Sequence, residues 1–264
     1  MENQQQNSNS FWNNIIEEYL NGESMSRLSI KYNINLGTLR YHLIKNSVKV
    51  RSVKESFVEK PEIKLSKEFK SLIIGLILGD GSLRLGKNFR NPYFTYTDKH
   101  KEVHEYLITI FEQNGIECSK IFYKEETKCY SFQTETRKEF LELYDLFYPK
   151  DEMEKQKQKR KILPNIILDK IMLLWWFIGD GSSTRQSKAK THRGQISCKH
   201  YNEFILSQLK QFGDCKYYKY SNGGAYYLNN KSFIEFLRYI GECPIECYKY
   251  KWITRCSETI MEES

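Results

Sequence analysis

The chain has 264 residues, 40% of them hydrophobic, and a formal charge of +8 from 41 Lys and Arg against 33 Asp and Glu. That apolar content fills one large core or two modest ones without staples. The seven cysteines are odd in number and lack Cys-x-x-Cys spacing, which argues against a disulfide framework. A basic balance with 19 tyrosines points to a nucleic-acid partner, although a basic domain with a merely solvated surface has the same charge. The polar start, MENQQQNSNS, lacks the basic-then-apolar order of a signal peptide, and the apolar runs are too short to span a bilayer. No membrane partner is expected, and an intracellular location, cytoplasmic or organellar, follows as an expectation.

Residues 1–10 read as a disordered lead, and residues 11–50 as short helices. Trp12, Ile15, Ile16 and Tyr19 share a face before Asn21-Gly22 breaks the first. Leu28 and Tyr32 mark a second helix, NINLG makes a turn, and Leu39 and Leu43 lie on the inner side of a third. This spacing resembles a helix-turn-helix, whose last helix offers Thr38, Arg40, Tyr41 and Lys45 to a DNA groove; any small three-helix unit shows the same pattern. Residues 51–65, with alternating Lys and Glu and with Pro61, read as a linker.

Ser66 then caps a greasy helix, SLIIGLILGDGSLRLG, that runs straight into Asp80. Strand-like runs follow, then a helix over KEVHEYLITIFEQNG, two further strand-like runs, and a helix closed by Pro149. A charged connector, residues 150–164, leads to IMLLWWFIGDGSS, which places Asp180 as Asp80 is placed, and the same order of elements returns over residues 165–255. Gly115 lies 35 residues beyond the first acid and Gly213 lies 33 beyond the second. The chain is an internal duplication, with halves at 66–149 and 165–255 and a tail at 256–264.

In a helix, Gly75 and Gly79 fall on one stripe, where the missing Cβ lets a second backbone approach. Two such helices packed about a pseudo-twofold axis bring Asp80 and Asp180 together at their C-terminal ends. Those ends are already partly negative, so a divalent cation is the natural partner for the two carboxylates. Mg²⁺ or Mn²⁺ bound there is suited to phosphodiester hydrolysis. His100 and His104 are spaced like zinc ligands but lack a third partner, and Cys243 and Cys247 lack a second pair.

The segments IIGLILGDG (Ile73–Gly81) and LLWWFIGDG (Leu173–Gly181) resemble the nonapeptide of LAGLIDADG homing endonucleases, in the class that carries two motifs in one chain. The resemblance covers roughly residues 65–255 and implies an α+β fold of two αββαββα halves. Two antiparallel sheets form its DNA-binding saddle, here preceded by the small all-α domain. It implies a monomer that cuts both strands of a long asymmetric double-stranded DNA site across the minor groove, leaving short 3′ overhangs. Carried onto this chain, the catalytic acids are Asp80 and Asp180, with the carbonyls of Gly79 and Gly179 joining the metal shell.

The family's late basic residues fall at Lys161 in RKILPN and at Lys249 in CYKYKW, where Lys251 competes for the role. On the saddle that the resemblance implies, one side of each strand faces DNA, and the candidates for that face are Arg84, Lys87, Arg90, Tyr93, Lys124, Arg185, Lys188, Lys190, Arg193, Lys199, Lys216 and Lys219. Two departures stand out. Trp175 replaces Gly at the third position of the second nonapeptide, which is expected to hold the helices apart at that end, and the sixth positions are Leu78 and Ile178. The chain reads as freestanding rather than an intein. Two other readings use the same scaffold: a noncatalytic DNA-binding regulator, and a maturase that binds intron RNA.

Overall fold

The computed structural model describes residues 2–51, 61–86, 90–149, 161–186 and 191–252, and the chain divides into two compact units, Met1–Glu62 and Ile63–Ser264. The first unit holds helices α1 (Glu2–Leu20), α2 (Met25–Lys31) and α3 (Leu36–Lys45). Its core is Ile15, Tyr19, Leu28, Leu39 and Leu43, the apolar faces that the spacing marks out. Gly22 at φ 110° ends α1, and the Ser24 and Asn35 side chains cap α2 and α3 by accepting from Arg27 N and Gly37 N. One expectation differs: α1 begins at Glu2 rather than after a disordered lead. No Gly or Pro precedes Gly22, so nothing stops the hydrogen-bond ladder from propagating toward the N-terminus once its last turns pack.

The linker also ends earlier than position 65. Leu65 is buried in the core of the second unit, and Ile63 N donates to Glu139 Oε1 at 2.7 Å.

The second unit is built twice. Its first half runs α4 (Lys67–Leu78), β1 (Ser82–Arg84), β2 (Tyr93–Asp98), α5 (Lys101–Gln113), β3 (Phe122–Lys124), β4 (Cys129–Gln133) and α6 (Leu141–Phe147). The second runs α7 (Lys170–Asp180), β5 (Gly181–Gln186), β6 (Thr191–Ser197), α8 (Glu203–Leu209), β7 (Cys215–Tyr220), β8 (Gly223–Leu228) and α9 (Asn230–Ile240), followed by a 3₁₀ segment, Glu246–Trp252. Each half holds a four-stranded antiparallel sheet, ordered β1-β2-β4-β3 and β5-β6-β8-β7. The registers agree as well: Ser82 pairs with Thr95 and Thr95 with Gln133, while Ser182 pairs with Gln195 and Gln195 with Tyr227.

Alternation sends Leu83, Phe94, Tyr96 and Phe132 inward in one sheet, and Ile196, Tyr226 and Leu228 inward in the other, to be buried under the helices. Each fully buried side chain of this size contributes roughly 1.5–3 kcal/mol. The single core spans both halves because α4 and α7 pack on each other at its centre. The opposite faces of the sheets carry the residues available to a partner. Among the described residues, no helix is long and apolar enough to cross a membrane.

Candidate active site

The site forms where α4 and α7 cross. A Cβ on Gly75 would lie 2.6 Å from the Met172 carbonyl oxygen and 2.8 Å from Trp175 Cβ, and one on Gly79 would lie 3.3 Å from the Gly179 Cα. The helices touch through backbone at both places. Trp175 therefore does not hold them apart, contrary to the expectation from its bulk. Gly75 alone makes room for its Cβ, while its ring turns away to lie 5.9 Å from that of Tyr106.

Immediately past this contact stand the two acids. The helical ladder of α4 ends at Gly79, and α7 ends at Asp180 itself, so both carboxylates sit among the terminal carbonyls. Burial first, and the Asp80 charge second, push the Asp180 carboxyl up to about 7. Asp80 is raised in the same direction by burial and by Asp98, while Lys251 and Lys161 pull it back. Its side chain opens to the surface, so its desolvation comes from the floor and walls of the cleft rather than from full enclosure.

Two ammonium groups answer this charge from opposite sides. Lys161 Nζ donates to the carbonyls of Ile77 at 2.5 Å and Gly79 at 2.9 Å. Lys251 Nζ donates to those of Ile178 at 2.5 Å and Gly179 at 3.2 Å. Both lysines are lowered by burial and raised again by nearby carboxylates, Lys161 by Asp180 and then Asp80, Lys251 by Asp80, then Asp98, then Asp180. The expectation for Lys249 is corrected here. Its side chain is exposed and pairs with Glu246 at 2.5 Å, whereas Lys251 is 5% exposed. In a 3₁₀ segment residues three apart share a face, so Tyr248 and Lys251 turn inward together while Lys249 and Glu246 face solvent.

Asp98 and Tyr248 were not legible as site residues in the sequence. Asp98 is buried at the end of β2, where it accepts from the Tyr248 hydroxyl and from His100 N at 2.7 Å. An acid in register with the inward residues Phe94 and Tyr96 is the one signal that marks it.

Hard oxygen donors crowded until one carboxylate is held near neutral pH fit a divalent cation. Asp80 and Asp180 would hold it, with the Gly79 and Gly179 carbonyls adjacent. Among the described residues no group of three or more His, Cys, Asp or Glu side chains converges, so the remaining ligands would be water and phosphate. Beside the acids opens a cleft of about 860 Å³ whose lining includes Lys161, Asp180, Gln195, Cys198, Lys199 and Tyr227.

Register sorts the expected DNA-facing residues. Arg84, Tyr93 and Lys124 lie on the outer face of the first sheet, Arg193 and Lys216 on that of the second. Arg90 is exposed before β2, and Lys199 lies just past β6. Lys219 lies opposite Gly224, in register with the inward-facing strand residues rather than the outer ones, because a strand's sides alternate residue by residue, and its side chain is exposed. Arg185 pairs in β5 with His192, and its side chain lies outside the described residues. Lys87, Lys188 and Lys190 lie outside the described residues. Thr38, Arg40, Tyr41 and Lys45 are all exposed on α3. The outer face of the second sheet also carries Tyr218, Tyr220 and Tyr227, with the Arg193 guanidinium 4.9 Å from the Tyr227 ring centroid.

The fold has known counterparts. The structure of the homing endonuclease I-WcaI bound to its DNA recognition sequence superposes with a TM-score of 0.61 at 21% identity, covering 79% of this chain and 97% of that one. An uncharacterized protein of Methanocaldococcus jannaschii, MJ1098, is 26% identical over 163 residues, which are 55% of this chain and 57% of its own length. The family described as LAGLIDADG DNA endonuclease matches residues 70–236, well over half of the sequence. With two motif helices crossing at Gly79 and Gly179 and one sheet on each half, the chain belongs to the LAGLIDADG DNA endonuclease family, in its two-motif, single-chain form.

Proposed function

We propose that the chain is a site-specific endonuclease of the homing type that hydrolyses both strands of a long asymmetric DNA site. The observation that carries this reading is the meeting of Asp80 and Asp180 at the helix crossing, with a lysine fixed on each helix end, the half-buried Lys161 on one and the buried Lys251 on the other. Mg²⁺ or Mn²⁺, when bound, polarises the scissile phosphate and lowers the pKa of an attacking water. The chain's own part is positional and electrostatic. Asp80 and Asp180 would hold the cation, and Lys161 and Lys251 would set positive charge beside the phosphate as its negative charge grows. Arg84, Tyr93 and Lys124 on one sheet, and Arg193 and Lys216 on the other, hold the duplex across the acids, largely through its phosphates.

The exposed face of α3, with Thr38, Arg40, Tyr41 and Lys45, adds a second DNA-binding element of the helix-turn-helix kind. A monomer suffices for this chemistry because both acids belong to one chain.

The test is to incubate the purified protein with a randomised duplex library and Mg²⁺, beside the Asp80→Asn variant, and to sequence the ends produced. Discrete double-strand cuts with short 3′ overhangs, absent in the variant, support the reading. Selective retention of DNA without cutting replaces it with a noncatalytic regulator, and binding of folded intron RNA in preference to DNA replaces it with a maturase.

A further inference from the structure

The strand registers match the halves residue by residue, so position 96 answers to 196 and position 98 to 198. The halves differ at both. The first half has Tyr96 and Asp98, whereas the second has Ile196 and Cys198. Cys198 continues the pairing of β6 with β8 through its N–H to the Gly224 carbonyl at 2.9 Å, as Asp98 continues that of β2 with β4 opposite Tyr130.

In the first half a continuous chain of contacts starts at Asp98. Its carboxylate accepts from the Tyr248 hydroxyl, the Tyr248 ring centroid lies 4.5 Å from Lys251 Nζ, and Lys251 grips the carbonyls that end α7. The Asp98 charge acts on Lys251 and on Asp80. The Tyr96 hydroxyl is buried on the same inner face and finds no hydrogen-bond partner among the described residues. In the second half the corresponding Cys198 thiol donates to the His200 carbonyl at 3.2 Å, and Lys161 is held by the carbonyls of Ile77 and Gly79. The Asp98 carboxylate anchors the hydroxyl of the ring that walls in Lys251 Nζ, whereas the Cys198 thiol bonds back to its own loop and anchors no such wall beside Lys161.

We propose that Asp98 is a positioning residue for Lys251, acting through Tyr248, and that Cys198 at the matching place leaves the two cutting centres unequal, so that the strands of the duplex are hydrolysed in a fixed order. The strand order rests on the endonuclease reading; the positioning of Lys251 does not.

Two experiments separate them. On a duplex carrying the target site with each strand labelled, the wild-type protein nicks one strand first. Asp98→Asn and Tyr248→Phe each slow the same one strand by roughly tenfold or more and leave the other within about twofold. Equal slowing of both strands, or of neither, overturns the proposal. In the DNA-free protein, amine labelling read by mass spectrometry shows Lys251 reacting about threefold faster in both variants, with Lys161 and the melting temperature little changed. Unchanged Lys251 reactivity overturns the positioning role whether or not the chain cuts DNA. A wild-type chain that cuts no duplex while Lys251 responds as stated overturns the endonuclease reading and the strand order, and supports the positioning role.

Discussion

Gly79 and Gly179 face each other across the helix pair so closely that a Cβ on Gly179 would lie 3.2 Å from the Gly79 Cα and 3.4 Å from a carboxylate oxygen of Asp80. The separation of the two acids is thus set by the absence of two methyl groups. The same crossing is tighter at its other end, where Gly75 meets the Met172 carbonyl. Gly75→Val, which places branched bulk against backbone that cannot turn aside, should destabilise the second unit by about 1–3 kcal/mol or more. Urea unfolding monitored by tryptophan fluorescence measures this, and an unchanged midpoint would show that the helices are free to separate.

Asp180 titrates near 7 in the fold and near the ordinary carboxylate value when unfolded. The folded state therefore keeps a proton that the unfolded chain loses first. Its stabilising contribution is complete below the unfolded pKa and drains away as pH rises from about 4 through 7. Asp180→Asn removes that loss. In EDTA the variant should match the wild type near pH 4 and exceed it by about 2–4 kcal/mol at pH 8. Thermal denaturation across that range reads the difference.

The same titration governs the cation. Because the carboxylate must be ionised to bind, Mn²⁺ affinity should climb steeply as pH rises through about 7, with protons released on binding. Calorimetry in buffers of different ionisation enthalpy measures both, and a flat profile between pH 6 and pH 8 would remove Asp180 from the metal site.

Lys249 and Lys251 separate by location. Lys251→Met should lower strand cutting by on the order of a hundredfold while DNA affinity changes little. Lys249→Met removes only an exposed pair with Glu246 and should leave the cutting rate within about twofold. Single-turnover rates on a saturated complex give the comparison.

Deleting residues 1–62 follows the division between the two compact units. The remaining chain should unfold cooperatively and retain cutting. Its DNA affinity should fall, and the salt slope of binding should become shallower in proportion to the number of phosphates that the first unit neutralises. Fluorescence anisotropy at several salt concentrations reads this directly.

The sequence by itself determined the duplication, the two motif helices and the pair of acids. These depend on short-range signals: an apolar run that only a buried helix accommodates, glycines four apart, and the same order of elements returning in the second half. It also placed Arg84, Tyr93 and Lys124 on the outer face of their sheet, because alternation along a strand is local. What only the tertiary structure decided involves side chains whose partners are distant in sequence. Lys251 rather than Lys249 reaches the end of α7 beside the acids because a 3₁₀ turn after α9 aims every third residue inward, and that aim is fixed by contacts with α7 some 70 residues earlier. Asp98 gains its place from Tyr248, 150 residues away. Trp175 fits because its Cβ enters the gap at Gly75, a fact that belongs to the pair of helices and to neither alone.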